Sequence, residues 1–151
     1  MSLTWKTSFS GRECRIFRGK LMVGLLKLSL WKTGGYGELQ GYLLRFKTNG
    51  IWRRNTVILD IDGKKELGEI KFNLWKGSAT ITYDHMEYAF KYHSWTRRQW
   101  TVTAPDESAT FEHKGLFQKE GVVENDDLSF AVILSALYAD AYFRRLTATV
   151  S

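Results

Sequence analysis

The chain has 151 residues, 44% of them hydrophobic and 15% aromatic, with a single proline; this is apolar material for one packed domain and excludes a disordered or low-complexity chain. Lys and Arg number 22 against 16 Asp and Glu, a net charge of +6, which permits contact with anionic surfaces without requiring it. The lone cysteine, Cys14, excludes an internal disulfide framework and fits a reducing compartment.

The first residues, MSLTWKTSFSGREC, show neither an uninterrupted apolar core nor a small-residue cleavage pattern. No signal peptide is expected, and a cytoplasmic location, with peripheral contact to a membrane, is the default. From there to residue 124 the chain reads as strand after strand. Segments near 3–9, 12–18, 21–31, 36–47, 55–61, 66–74, 78–83, 86–94, 98–104, 107–112 and 116–123 carry the pattern, about eleven strands. Glu69-Ile70-Lys71-Phe72-Asn73-Leu74 alternates polar and apolar, and Met86, Tyr88, Phe90 and Tyr92 share one face, as half-buried strands require. Turn signals separate them: Arg18-Gly19-Lys20, Thr48-Asn49-Gly50, Asp62-Gly63-Lys64, Trp75-Lys76-Gly77, Tyr83-Asp84-His85 and Ala104-Pro105-Asp106-Glu107. Many short strands joined by tight turns predict an antiparallel sandwich or barrel.

The pattern changes at DDLSFAVILSALYADAYFRR, residues 126–145. Asn125, Asp126 or Asp127 suits a helix N-terminus, and Arg144 and Arg145 suit its C-terminus. The apolar stretch from Leu128 to Phe143 is about 24 Å long at 1.5 Å per residue, short of a membrane span, and Asp140 makes insertion costlier. On a helical wheel Leu128, Val132, Ala139 and Phe143 take one side, and Phe130, Leu134, Leu137 and Ala141 the other. A helix apolar nearly all round must be enclosed, and a sheet rolled around it removes sheet edges and wet helix surface together. The expected architecture is a closed antiparallel β-barrel of 11–12 strands, residues 1–124, around a central helix over 125–145, with 146–151 as a tail or short strand. Asp140, near the helix exit, is expected to sit hydrated at the barrel mouth.

Trp100-Thr101-Val102, Ala109-Thr110-Phe111, Glu120-Gly121-Val122-Val123 and the helix Leu128 to Phe143, with Ala79-Thr80-Ile81 and Tyr88-Ala89-Phe90 before them, resemble the tubby C-terminal-like superfamily. That group takes in tubby-like domains, plant LURP-one-related proteins and phospholipid scramblases. The resemblance extends as topology over nearly the whole chain and implies a barrel of about twelve strands around a central helix. It also implies a basic surface that recognises phosphoinositide-like headgroups. The cysteine-rich segment and following transmembrane stretch of scramblases have no counterpart here, so scramblase activity is not implied, and no binding residue is carried over.

Trp52-Arg53-Arg54 and Trp95-Thr96-Arg97-Arg98-Gln99-Trp100 are the densest basic-aromatic clusters. Arg53, Arg54, Arg97 and Arg98, with Trp52 and Trp95, are the candidate lipid-binding residues: guanidinium groups grip phosphates and indoles rest among headgroups. The competing account packs the tryptophans into the barrel and leaves the arginines in water. Gly34-Gly35-Tyr36-Gly37 with Gly41 lacks the following helix of a phosphate loop and reads as a turn and a strand bend. His85, His93 and His113 lack metal-site spacing, Cys14 reads as a small buried hydrophobe, and no catalytic, cofactor or metal set is assigned. The expectation is a non-enzymatic binding domain for an anionic membrane surface, nucleic acid being an unlikely partner. A lipocalin-type carrier barrel and a protein-interaction module are the alternatives.

Overall fold

The computed structural model describes residues 1–29, 34–49 and 55–150, without the side chains of Asn49 and of 147–150. Twelve strands form one antiparallel meander: β1 (Ser2–Thr7), β2 (Glu13–Arg18), β3 (Leu21–Leu28), β4 (Gly34–Leu39), β5 (Tyr42–Asn49), β6 (Asn55–Asp60), β7 (Glu66–Asn73), β8 (Ser78–Tyr83), β9 (Met86–Tyr92), β10 (Gln99–Ala104), β11 (Glu107–Lys114) and β12 (Glu120–Asp126). Each pairs with its neighbours in the chain, and β1 pairs with β12 to close the barrel. Closure leaves no row of unpaired strand-edge groups.

Period-two alternation decides which side chains enter. Leu3 and Trp5 on β1, Leu44 and Phe46 on β5, Tyr88, Phe90 and Tyr92 on β9, and Trp100 and Val102 on β10 are all buried. The outward positions between them carry exposed charges: Lys6, Arg15, Lys27, Glu38, Arg45, Lys47, Lys71, Glu87 and Lys91. A wall facing hydrocarbon would be apolar at those positions, so this wall faces water. No helix among the described residues is long and apolar enough to cross a membrane.

The segment expected as one strand, 36–47, is two. Gln40 and Gly41 both have positive φ, 51° and 89°, and turn the chain back in two residues, with Leu39 paired to Tyr42. Such a loop matches the twist of its flanking strands; its Gln-Gly sequence is a weaker turn signal than Asn-Gly. The glycine-rich run Gly34–Gly37 is accordingly within strand β4, and the turn lies at Gly41. The last strand also lies later than 116–123, at Glu120–Asp126.

The helix α1 (Phe130–Val150) runs through the barrel, where every residue from Ala131 to Ala139 is at most 4% exposed. Burying such Leu, Ile, Val and Phe side chains contributes about 1.5–3 kcal/mol each. The helix starts later and ends later than 125–145. Asn125 and Asp126 still belong to β12; the Asn125 side chain accepts from the Leu128 amide at 2.8 Å, and Ser129 caps the first turn by accepting from the Ala131 amide. At the other end the helix continues through 146–150, where a tail or short strand was expected; Ser151 lies outside the described residues. Inside the barrel, Tyr138 stacks on Phe46 at 4.5 Å between ring centres, and its hydroxyl meets Thr48 at 2.8 Å. Thr48 in turn meets Thr56 at 2.6 Å, so three buried hydroxyls satisfy one another and tie α1 to β5 and β6.

Candidate functional site

Because the strands alternate in direction, every second connection falls at the same end of the barrel. The end at which α1 finishes carries segments 8–12, 74–77, 93–98 and 115–119; the opposite end, where α1 begins, carries 19–20, 40–41, 61–65, 84–85, 105–106 and 127–129. The β9–β10 connection holds Trp95, Arg97 and Arg98 from the candidate set. Trp52, Arg53 and Arg54 lie outside the described residues.

Of the tryptophans in the Trp95–Trp100 cluster, one enters the barrel and one does not. Trp100 is buried and stacks on Phe111 at 5.0 Å with planes 7° apart, while Trp95 projects almost wholly into solvent, as does Trp75 on the β7–β8 turn. Trp75, Lys76, His93, Ser94, Trp95 and Arg97 line a shallow cavity of about 430 Å³. The sequence placed Trp75 only as part of a turn; a tryptophan within a tight Trp-Lys-Gly turn was the signal available.

The two arginines do different things. Arg97 has a left-handed backbone, φ 56°, which swings its side chain inward. Its guanidinium lies 5.5 Å from the Tyr92 ring centre and 5.3 Å from that of Phe143, a cation–π contact over the end of the core. Arg98 is exposed and donates from Nη2 to the Gly115 carbonyl at 2.9 Å, linking the β9–β10 and β11–β12 connections. The arginine pair is therefore not one phosphate clamp: Arg97 closes the barrel end, and Arg98 faces outward from it.

Beneath this surface lies a buried polar cluster. Asp140 is only 4% exposed, where a hydrated position at the mouth was expected; the twelve-strand barrel is deep enough to take it in. Its carboxylate accepts from the Tyr92 hydroxyl at 2.6 Å, from His113 Nε2 at 2.7 Å and from Arg144 Nε at 3.2 Å. Arg144 also donates to the Gln118 side chain at 2.9 Å and to the Arg97 carbonyl at 3.0 Å. His113 Nδ1 faces the Gln118 carbonyl at 3.2 Å. Burial pushes the Asp140 carboxyl upward, but the hydrogen bond and charge of His113, the charge of Arg144 and the Tyr92 hydroxyl outweigh it and hold the group below the usual carboxylate range. Burial and then the neighbouring Asp140 charge raise the Tyr92 hydroxyl well above its usual value.

Both nitrogens of His113 are engaged and its side chain is buried, so the His113–Asp140 pair offers no open base to a substrate. Cys14 is likewise buried, and burial, with a smaller push from Asp140, raises its thiol to about 12, far from a reactive thiolate. His85 and His93 lie at opposite ends of the barrel, and no cluster of metal-ligating side chains occurs among the described residues. The cluster's work is structural: through Asp140 and Arg144 it fastens the end of α1 to β9, β11 and the connections that carry Arg97 and Gln118.

A second shallow cavity, about 690 Å³, lies at the same end over β1 and β2, lined by Lys6, Ser8, Arg12, Glu13, Arg15 and Phe17. Glu13 pairs there with Arg15 at 2.7 Å. Compared with known proteins, the chain matches no family model, no curated protein and no solved structure.

Proposed function

We propose that the barrel is a non-enzymatic domain that binds anionic phospholipid headgroups at a membrane surface, through the end at which α1 finishes. One observation carries this reading: two tryptophans, Trp75 and Trp95, stand in solvent beside a shallow cavity, with Lys76 and Arg97 in its lining and Arg98 next to it. Indoles partition to the headgroup level of a bilayer, and cations beside them meet lipid phosphates. The net charge of +6 favours the same partner, as does the tubby-like pattern of the sequence. A small-molecule carrier needs an open centre, and α1 occupies that space. An interaction module is favoured by a different place, the partly exposed Leu21, Met22, Tyr42 and Leu43 at the other end; its check is the mass of the particle by light scattering, alone and with candidate partners.

Co-sedimentation with vesicles tests the membrane reading. The chain is expected to pellet with phosphatidylserine-containing vesicles and not with pure phosphatidylcholine, and to lose binding as salt rises, because surface charge attraction is screened. Lys76→Gln and Arg98→Gln are expected to weaken it. Equal binding to neutral and anionic vesicles, or none to either, rejects the reading.

A further inference from the structure

The two ends of the barrel differ in kind. In the described connections at the end where α1 finishes, Phe9, Trp75, Trp95, Leu116 and Phe117 are each 84–98% exposed. Each of these four connections also carries at least one cation, Arg12, Lys76, Arg97 and Arg98, and Lys119 respectively, and none contains an aspartate or glutamate. The connections at the opposite end hold Asp62, Asp84, Asp106 and Asp127 against Lys20, Lys64 and Lys65 and bear no Phe, Trp or Tyr. The exposed large apolar residues near that end are Leu21, Met22, Tyr42, Leu43 and Met86 on strands and Met1 just before β1, and they are only 41–69% exposed.

Single exposed apolar side chains are ordinary on a protein surface; here five of them, each 84–98% exposed, fall on four connections of one end, every one of which also carries a cation. Since strand neighbours follow chain order around the barrel, the four connections occupy one continuous arc from β7 through β12 and β1 to β2. Within it Trp75 and Trp95 line one shallow cavity and Leu116 and Phe117 are adjacent, with Ser8, Ser10, Ser94, Thr96 and Gln118 on the same connections. The charge of the arc selects the partner: Arg12, Lys76, Arg97, Arg98 and Lys119 lie on connections that hold no aspartate or glutamate, which suits an anionic surface. An anionic bilayer offers both halves of the match: its headgroup layer takes in indole and phenyl rings, and its phosphates meet the cations beside them.

Resting on the membrane reading above, we infer that this arc of four connections is the docking surface, and that Phe9, Trp75, Trp95, Leu116 and Phe117 enter an anionic bilayer together. The barrel axis then stands across the membrane plane, with the charged wall in water and the aspartate-bearing end facing away. Binding therefore has two parts, an electrostatic approach that salt removes and an apolar insertion that salt leaves.

The test uses the full chain with phosphatidylcholine–phosphatidylserine vesicles, with and without brominated acyl chains. The variant F9S/L116S/F117S alters side chains that are 84–98% exposed, and its fold is checked by circular dichroism and thermal melting; K64Q/K65Q at the far end is the control. Expected are quenching of tryptophan emission by brominated lipid, diminished in W75F/W95F, and a drop in vesicle affinity of about tenfold or more in F9S/L116S/F117S, with K64Q/K65Q unchanged. Salt-sensitive binding that F9S/L116S/F117S retains in full, with no quenching, overturns the insertion and leaves headgroup binding standing. Absence of binding by the native chain overturns both. A native dimer that F9S/L116S/F117S dissolves, seen by light scattering without vesicles, assigns the arc to a second copy of the chain instead.

Discussion

Asp140 on α1 and His113 on β11 meet at 2.7 Å inside the barrel, and this contact joins the one element that fills the barrel to the wall that encloses it. Replacing Asp140 by Ala leaves His113, Arg144 and the Tyr92 hydroxyl facing a void. Breaking a buried pair from one side costs about 3–5 kcal/mol, so Asp140→Ala is expected to shift the urea midpoint sharply downward. Asp140→Asn, which keeps an acceptor for Tyr92, is expected to fall between Ala and the native chain. A midpoint unchanged in Asp140→Ala would remove the cluster from the account of how α1 is held.

The same carboxylate makes stability depend on acid. Its folded value lies below the ordinary one, so the unfolded chain takes up the proton first. The stabilisation is complete above the unfolded value of about 3.9 and is lost as pH falls below it toward the folded value. Thermal melts between pH 5 and pH 2 are expected to decline more steeply for the native chain than for Asp140→Asn. Parallel slopes would show that other carboxylates govern the acid limb.

Trp5 and Gly121 are directly paired across β1 and β12, the pair of strands that closes the barrel. A Cβ on Gly121 would run into the six-membered ring of Trp5. Gly121→Ala is expected to destabilise by about 1–3 kcal/mol through overpacking. In a Trp5→Phe background the same change is expected to cost less, because the ring it collides with is gone; chemical denaturation of the four chains of this double-mutant cycle measures the coupling.

Cys14 is buried with its thiol raised to about 12, so a disulfide reagent at neutral pH is expected to label it only through unfolding. Labelling should accelerate with urea in step with the loss of tryptophan signal. Prompt stoichiometric reaction of the folded chain would place the thiol outside the core.

Much of the barrel was legible because its physics is local. The alternation in Met86-Glu87-Tyr88-Ala89-Phe90 needs only a pleated backbone with one wet face, and it marks a strand wherever that strand lies. The split of β4 from β5 was not legible: it depends on two left-handed residues, and Gln40 gives weaker notice of that conformation than Asn or Gly. Arg97 and Arg98, adjacent in sequence and alike in chemistry, could not be told apart either, since one backbone angle sends Arg97 over Tyr92 and Phe143 and leaves Arg98 outside.

The enclosure of the helix therefore follows from the order of residues alone. A segment apolar on every side has no stable place in water, and it is too short for a bilayer, so the strands had to close around it. Tertiary structure alone decided the burial of Asp140, which rests on Tyr92, His113 and Arg144 converging from separate strands and one helical turn. It alone also decided the polarity of the two ends, because strand direction collects distant connections into one rim. Neither is written in any window of neighbouring residues; both follow from closure.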